Sequence, residues 1–477
     1  MRLLTLTHRW IGVVLCLFFA AWFFSGAVLI YFPFPSLSKT ERLAHDSRIN
    51  YSKIKIAPKA VMEVKNNLDI DRLRLIDVEG KPVYILHPPK GPVIAIGADD
   101  GKSLHLLDGK AAGRIAEKFI GKQASRIEGP LSYDQWIVPN RYDPYRPFYR
   151  VSIQDQKATE LYVSAHTGEV LQKTEGIERS WNYVGAVTHW IYPTLLRSNW
   201  ALWDGVVWWI SLLSVLTTVA GLVLGIARLR KRKNANRFAS PFKGWLGMHH
   251  ILGLLAGAFV LTWVFSGWLS MDHGRIFSKP NPEGSQIKNF RGITIKQVVA
   301  GISLEAIKSL DEFSKVEFFA MGGQAFLMTE NSEGSNLYKP TNLDLLSPIR
   351  LTEPEIINAV EKAWPNVKIH STQKPEESDI YGRLREGSLP DHALRVILQD
   401  PMQTWVHIDM ETGQIVSVMD KSRRLYRWLF NGLHSLDFPG LANHRPLWDV
   451  LILLLLGVGF IFSITGVIVG SKRLFNH

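Results

Sequence analysis

Four long runs of apolar residues divide the chain. They lie near Ile11–Tyr31, Gly205–Ala227, Ile251–Met271 and Trp448–Gly470. A run of about 20 apolar residues is long enough to cross a bilayer as a helix. The pattern therefore predicts four transmembrane helices. The first is expected to be retained, because no small-residue cleavage site follows it.

The two long stretches between these runs carry mixed patterns. Short alternating or β-branched segments predict strands, listed as Val83–Leu86, Arg150–Gln154, Glu160–Val163, Ala325–Met328, Arg395–Gln399 and Thr404–Asp409. Segments of helical period predict helices at Ala111–Ile120 and Glu353–Ala363, the second opening with a capping sequence. Both stretches therefore read as α+β.

The second half of the chain repeats the first. Leu202-Trp203-Asp204 recurs as Leu447-Trp448-Asp449, and His189 recurs as His434, both at an offset of 245 residues. The helix openings recur at an offset of 241. Because both halves enter the membrane in the same direction, this is a parallel repeat.

The predicted fold class is an integral membrane α-helical bundle of four transmembrane helices with two α+β domains, built by internal parallel duplication. The predicted segments are helix 1 at 1–32, domain 1 at 33–202, helix 2 at 203–229, a basic loop at 230–245, helix 3 at 246–272, domain 2 at 273–446, helix 4 at 447–471 and a tail at 472–477.

Charge orients these segments. Eleven of the 55 Lys and Arg residues sit at the two termini and in the basic loop: Arg2, Arg9, Arg228, Arg230, Lys231, Arg232, Lys233, Arg237, Lys243, Lys472 and Arg473. The positive-inside rule places both termini and this loop in the cytoplasm and both α+β domains on the opposite side. The other 44 cations nearly balance the 43 acidic residues, so the net charge of +12 reflects topology and favours no nucleic-acid partner.

Paired motifs give the chain a family resemblance. Thr7-His8-Arg9-Trp10-Ile11-Gly12 and Met248-His249-His250-Ile251-Leu252-Gly253 open the first and third runs. Ser25-Gly26 and Ser266-Gly267 follow the first histidine of each opening by 17 residues, and Thr167-Gly168-Glu169-Val170 recurs as Thr412-Gly413-Gln414-Ile415. These features resemble the PepSY-associated transmembrane proteins, and the α+β parts resemble PepSY-type domains.

The resemblance implies a protein of the bacterial inner membrane with its α+β domains in the periplasm. Members include iron-regulated proteins, and some are di-haem reductases that take iron from ferric siderophores. PepSY domains alone are associated with peptidase inhibition or ligand binding.

Four histidines at repeat-matched positions are the candidate haem ligands. His8 and His249 lie at the cytoplasmic ends of runs one and three, and His189 and His434 lie before runs two and four. Bis-histidine ligation of two haem b groups, one on each side of the membrane, would form an electron path across it. A single histidine at a helix end is more often an interfacial residue. His250, His273 and His444 are rival ligands.

The substrate and the electron donor are less well specified. Trp136, Arg141, Tyr145 and Arg146 belong to an aromatic and arginine-rich stretch that could hold a ferric siderophore, although packing of a strand and loop on the domain core or the lipid headgroups is the favoured interpretation. No dinucleotide or P-loop fingerprint occurs, so electrons are expected from a partner, a cytoplasmic flavoprotein or quinol.

Three hypotheses follow. The first is a di-haem inner-membrane protein that reduces a periplasmic ferric complex. The second is a non-enzymatic, membrane-anchored PepSY module that binds a ligand or restrains a peptidase. The third is a siderophore permease or its partner, for which four helices with few polar midplane residues leave little room.

Overall fold

The computed structural model describes residues 1–64, 68–231, 238–279, 281–310, 313–342, 345–376, 378–384 and 387–475. Arg232, Lys233 and Arg237 of the predicted basic loop lie outside these residues. The chain divides into two compact units. One comprises Met1–Phe34, Glu178–Lys279 and Ser422–His477, and the other Pro35–Ile177 and Pro280–Lys421. We call them the membrane unit and the sheet unit.

The helices are numbered in chain order. They are α1 Arg2–Tyr31, α2 Lys39–His45, α3 Pro58–Val64, α4 Gly109–Ile120, α5 Gly176–Asn182, α6 Thr194–Arg197, α7 Trp200–Arg228, α8 Gly244–Leu269, α9 Gly284–Arg291, α10 Ile295–Ala300, α11 Leu304–Lys308, α12 Glu353–Ala363, α13 Lys421–Arg427, α14 Leu433–Ser435 and α15 Leu447–Phe475.

The strands are numbered in the same way. They are β1 Arg72–Val78, β2 Lys81–His87, β3 Ile94–Gly97, β4 Ala124–Leu131, β5 Phe148–Ile153, β6 Glu160–Ser164, β7 Val170–Thr174, β8 Arg230–Lys231, β9 Phe238–Ala239, β10 Lys315–Met321, β11 Gln324–Asn331, β12 Gly334–Asn342, β13 Leu345–Ile349, β14 Ile369–Gln373, β15 Arg383–Leu384, β16 Gly387–Ser388, β17 Ala393–Leu398, β18 Trp405–Asp409 and β19 Ile415–Met419. Each predicted strand and helix of the α+β segments overlaps one of these elements.

Four helices, α1, α7, α8 and α15, are long and apolar enough to cross a membrane. They contain between 26 and 30 residues, so even the shortest rises about 39 Å, more than the roughly 30 Å hydrocarbon core. They are apolar on all sides, as expected where lipid replaces water. The chain is therefore a multi-pass membrane protein.

The four long helices pack in the cyclic order α1, α15, α8, α7. Phe23 of α1, Trp263 of α8 and Leu456 of α15 belong to one apolar cluster in the middle of the bundle. A Cβ at Gly459 would lie 2.5 Å from the Phe23 ring, so only glycine allows α1 and α15 to approach so closely. The two halves of the chain are thus joined within the membrane unit.

The boundaries of the predicted domains need correction. Residues 178–199 and 422–446 group with the membrane unit instead of the α+β segments. They include most of α5 and α13 and all of α6 and α14, short helices that the long apolar runs of the sequence did not predict as membrane elements.

The prediction of two separate α+β domains is also corrected, because the two segments share one sheet. Seven antiparallel strands run in the order β13-β12-β11-β10-β1-β2-β3. The central pairing joins β1 of the first half to β10 of the second, with Leu73 opposite Phe318 and Leu75 opposite Val316. One core therefore contains buried residues from both halves.

Two four-stranded sheets complete the sheet unit. The order β4-β5-β6-β7 is covered by α4, and the order β14-β17-β18-β19 by α12. Gly168 and Gly413 lie in the turns that follow β6 and β18, with φ of +70° each, a conformation that glycine adopts without strain. These are the two Thr-Gly turns that the sequence predicts.

Each half of the sheet unit also buries an arginine against a histidine. Arg74 donates to both carboxylate oxygens of Glu169 at 2.5 and 2.9 Å and to Nε2 of His87 at 3.0 Å. Arg395 donates to Nε2 of His407 at 2.7 Å and forms an ion pair with Asp379. Because an arginine can only donate, both imidazoles accept at Nε2 and are neutral.

Candidate functional site

His8 and His249 line one cavity at the end of the membrane unit where the termini and the basic loop lie, here called the basic end. His8 is near the start of α1 and His249 near the start of α8, whereas α7 and α15 end at this level. The cavity has a volume of about 560 Å³ and is lined by all four long helices. Pockets for small ligands and cofactors span roughly 300–1,000 Å³, so this one has the size of a cofactor site.

Hydrogen bonds fix the proton position on both basic-end imidazoles. Nδ1 of His8 lies 3.0 Å from the carbonyl oxygen of Thr217, which can only accept. Nδ1 of His249 lies 3.0 Å from the hydroxyl of Thr465, whose own proton is donated to the Phe462 carbonyl at 2.6 Å. Nδ1 is therefore the donor in both, and a neutral imidazole that donates from Nδ1 carries its lone pair on Nε2.

Repeat-matched glycines receive these two rings. A Cβ at Gly221 of α7 would lie 2.7 Å from Cε1 of His8, and one at Gly466 of α15 would lie 3.5 Å from Cε1 of His249. At Gly221 the contact is closer than real Cβ atoms allow, so a larger residue there would displace the imidazole.

His189 and His434 form a second pair at the opposite end of the helices, here called the far end. Their ring centroids are 6.0 Å apart and their planes are inclined by 71°. A metal bonded at about 2.0 Å to a nitrogen of each imidazole would hold two centroids roughly 6 Å apart. At this spacing, His189 and His434 would be close enough to hold one metal ion between them.

Serines of the long helices orient the far-end imidazoles. Nδ1 of His189 lies 3.0 Å from Ser25 Oγ, and Nδ1 of His434 lies 3.1 Å from Ser266 Oγ. Each serine donates its only proton to a carbonyl one turn earlier, that of Trp22 or Trp263. With each serine proton directed to that carbonyl, the histidine donates from Nδ1, and a neutral ring then carries its lone pair on Nε2.

Short helices with a π-helical turn deliver these histidines to the serines. The turns span Tyr183–Val187 and Trp428–Gly432, at the same repeat offset as the histidines that follow. Such turns occur often at functional sites, because they redirect the side chains that follow. Gly26 and Gly267 lie beside the rings, where a Cβ would be 3.5 and 3.6 Å from Cε1 of His189 and His434.

All four imidazoles have the same hydrogen-bonding pattern. Within the described residues, no hydrogen bond is formed by Nε2 of His8, His249, His189 or His434. Neutral imidazole with a hydrogen-bonded Nδ1–H is the form that ligates metals. Two imidazoles per level suit an iron whose remaining ligands come from a planar macrocycle, so the residues fit haem. His8 and Ser25 are 17 positions apart on α1, which separates the two levels by about 26 Å.

The three rival histidines have other partners. His250 uses both ring nitrogens, with Ser240 Oγ and the Gly225 carbonyl each at 2.9 Å. His273 lies 3.5 Å from a carboxylate oxygen of Asp204, and Nδ1 of His444 contacts the Gly440 carbonyl. His250 therefore has no ring nitrogen left to bind a metal. His273 and His444 are not counted among the four candidate ligands.

The predicted substrate residues take part in internal packing of their loop. Trp136 is 2% exposed. Arg146 donates to Asp143 at 2.8 Å and to the carbonyl of Ile137 at 3.1 Å, with its guanidinium 4.0 Å from the centre of the Tyr133 ring. Arg141 donates to Tyr142, and Tyr145 lies beside the His87 ring. Their role in substrate binding stays a prediction.

Sequence reasoning missed the residues that orient the histidines. The sequence marks the Ser-Gly pairs as a repeated motif 17 residues after His8 and His249, but it assigns them no role. Their partners His189 and His434 are 164 and 168 residues away in the chain, a pairing that no local pattern contains. Thr217 and Thr465 are not repeat-matched, so no sequence signal marked them.

Two comparisons with known proteins bear on identity. No curated protein matches the chain. The model of the PepSY-associated TM region matches residues 5–301, more than half of the chain, including the first histidine opening, the second opening and both Ser-Gly pairs. The chain therefore belongs to the PepSY-associated transmembrane family.

Proposed function

We propose that the protein is a di-haem b electron-transfer protein of the bacterial inner membrane that reduces a periplasmic ferric complex. The observation that carries this proposal is that all four histidines are hydrogen-bonded through Nδ1 and leave Nε2 without a partner in the described residues. At two levels about 26 Å apart, two imidazoles each present an unprotonated Nε2 whose orientation is fixed through Nδ1. Interfacial histidines need no such arrangement.

Each residue of the two sites has a defined part. The histidines hold the iron, and Thr217, Thr465, Ser25 and Ser266 keep the ligating nitrogen deprotonated and correctly directed. Apolar residues of the four long helices form most of the wall of the basic-end cavity. Haem b bound in this way supplies reversible one-electron transfer.

The direction of electron transfer follows from the basic residues at one end of the long helices. The basic end faces the cytoplasm by the positive-inside rule, which places the far-end histidines and the sheet unit on the periplasmic side. A cytoplasmic flavoprotein or quinol would give up one electron for each Fe(III) reduced to Fe(II) outside. The best candidate substrate is a ferric siderophore, because its hard oxygen donors hold Fe(II) far less tightly than Fe(III) and would release it for uptake.

Absorption spectroscopy with a haem count tests the proposal. The purified chain should show a b-type spectrum on dithionite reduction and about two haems per chain. His8→Ala or His249→Ala should remove the basic-end haem, and His189→Ala or His434→Ala the far-end haem. His444→Ala is the matched control and should keep both.

Two results would contradict the ligand assignment. One is a stoichiometry of two haems in any of the four ligand variants, and the other is a colourless wild-type protein after expression with ample haem. With both haems present, mixing the reduced protein with a ferric siderophore without oxygen should reoxidise the haems and form Fe(II). Haems that stay reduced would exclude that substrate.

The second candidate is a membrane-anchored PepSY module that binds a ligand or regulates a peptidase without redox chemistry. The observation in its favour is that Trp136 is buried and Arg146 is hydrogen-bonded within its own loop, so that neither residue requires a substrate to explain it. A colourless protein would support this function in place of the first.

A further inference from the structure

The basic-end cavity has a cationic rim that the histidine ligands do not account for. Arg9, Arg228, Lys472 and Arg473 line it together with the two imidazoles. Residues 1–40, 205–271 and 450–477 contain no Asp or Glu, so the parts of the four long helices around the cavity supply no counter-ion. An apolar cavity with uncompensated cations at one side suits a ligand with an apolar body and an anionic edge.

Two of these cations occupy equivalent places in the two halves. Arg228 follows Gly221 by seven residues on α7, and Arg473 follows Gly466 by seven residues on α15. Seven residues make two helical turns, so each arginine lies on the face of its glycine, about 10.5 Å nearer the basic end. Since Gly221 receives His8 and Gly466 receives His249, each ligand has one arginine in the same relation to it.

We propose that Arg228 and Arg473 bind the two propionate carboxylates of the basic-end haem and fix it with that edge toward the basic end. The inference rests on the proposed function and adds residues that hold the group by its edge. The planar guanidinium presents paired donors that match a carboxylate, which makes arginine well suited to this task. Two arginines in two equivalent positions correspond to the two carboxylates of one macrocycle.

The positive-inside rule alone does not account for this placement. It requires cations at the cytoplasmic end, which Arg2 and Lys243 also provide without lining the cavity. It sets no position on a helix face and no relation to a histidine. Arg9 and Lys472 line the rim without a repeat-matched cation, since Arg9 corresponds to His250 and Lys472 to Ala227.

The test compares haem with haem dimethyl ester, which lacks the carboxylate charges. In a His434→Ala background, which leaves only the basic-end site, each group is loaded and its rate of loss to apomyoglobin is measured. We expect the ester to leave about tenfold faster than haem. Arg228→Gln with Arg473→Gln should speed haem loss about tenfold and leave the ester rate unchanged, whereas Arg2→Gln should change neither.

Equal retention of haem and its ester by the parent chain would overturn this proposal while leaving haem ligation intact. An anionic lipid held by the arginines would give that result. A background chain that retains His8 and His249 but takes up no haem would overturn the proposed function itself, and this inference with it. Should His434→Ala fail to fold, His189→Ala provides the same background.

Discussion

At the residue scale, the arrangement depends on hydroxyl oxygens that accept a hydrogen bond from histidine. Ser25→Ala and Ser266→Ala should each lower haem affinity at the far end about 10- to 100-fold, because the imidazole loses the partner that fixes its tautomer and orientation. Ser214→Ala is the matched control, since this buried serine of α7 donates only to the Ile210 carbonyl. Haem titration of the three variants measures the difference, and equal losses in all three would refute an orienting role.

Glycine beside a ligand is a second residue-scale requirement. Gly221→Ala places a methyl group 2.7 Å from Cε1 of His8, so the ring must leave its hydrogen bond to Thr217. We expect the basic-end haem to be lost or bound at least tenfold more weakly. A Cβ at Gly205 of the same helix meets nothing within 4 Å.

Gly205→Ala is therefore the control for Gly221→Ala. Both substitutions raise helix propensity by a similar amount, so a difference in haem content cannot come from helix stability. Haem count and thermal unfolding of the two variants separate the effects. Retention of two haems by Gly221→Ala would show that the His8 ring is not held against this glycine.

At the element scale, the sheet unit buries neutral histidines that acid must charge. Burial and then the charge of Arg74 lower the pKa of His87 to about 3, and burial and then Arg395 lower that of His407 to about 3. Burial alone would raise the pKa of Glu169, but its contacts with Arg74 outweigh this and lower the pKa to about 2. All three groups bind protons more readily in the unfolded chain.

Stability of the sheet unit should therefore fall as pH falls. The unfolded histidines take up protons near pH 6.5, whereas the folded ones do so only near pH 3. Between these values, unfolding takes up about one proton for each histidine, so the free energy of unfolding falls as pH falls. Glu169 adds a loss between pH 4.5 and about 2. Asp46 acts oppositely, because burial raises its pKa to about 6, so its contribution is lost as pH rises through that value.

Denaturant unfolding of the full chain from pH 7 to 4 measures this dependence. His87→Gln and His407→Gln should each flatten the profile, because glutamine keeps an acceptor for the arginine but takes up no proton. His105→Gln, at an exposed position of the same unit, should leave the slope unchanged. An unaltered slope in both buried variants would contradict the neutral state of these histidines.

At the scale of the whole molecule, the two halves are expected to fold only together. The core of the seven-stranded sheet combines Leu73 and Tyr84 of the first half with Val298, Val316 and Phe318 of the second. Residues 1–231 expressed alone should be degraded, because β1 loses its partner β10 and leaves this core exposed. Co-expression with residues 238–477 should restore a complex that co-purifies.

Protease resistance and co-purification measure this dependence. An intact chain cleaved after folding at a site inserted between α7 and α8 is the control and should stay assembled. A stable sheet unit from the first half alone would contradict the shared core.

The sequence by itself determined the features that depend on local pattern. Four apolar runs specified four membrane helices, because burying backbone in lipid requires about 20 apolar residues in succession. Alternating and helical periods located the strands and helices of the sheet unit, and the Thr-Gly turns followed from the left-handed conformation that glycine permits. The four histidines stood out because repeat-matched positions carried them twice.

Only the tertiary structure decided how these parts combine. The pairing of β1 with β10 joins strands about 240 residues apart, and hydrophobic alternation within one strand does not identify its partner. The tautomer of His189 depends on Ser25, and that of His249 on Thr465, contacts made between elements distant in sequence. Periodicity reports which face of an element is buried, but packing alone decides which side chains meet there and which nitrogen of a histidine keeps its lone pair.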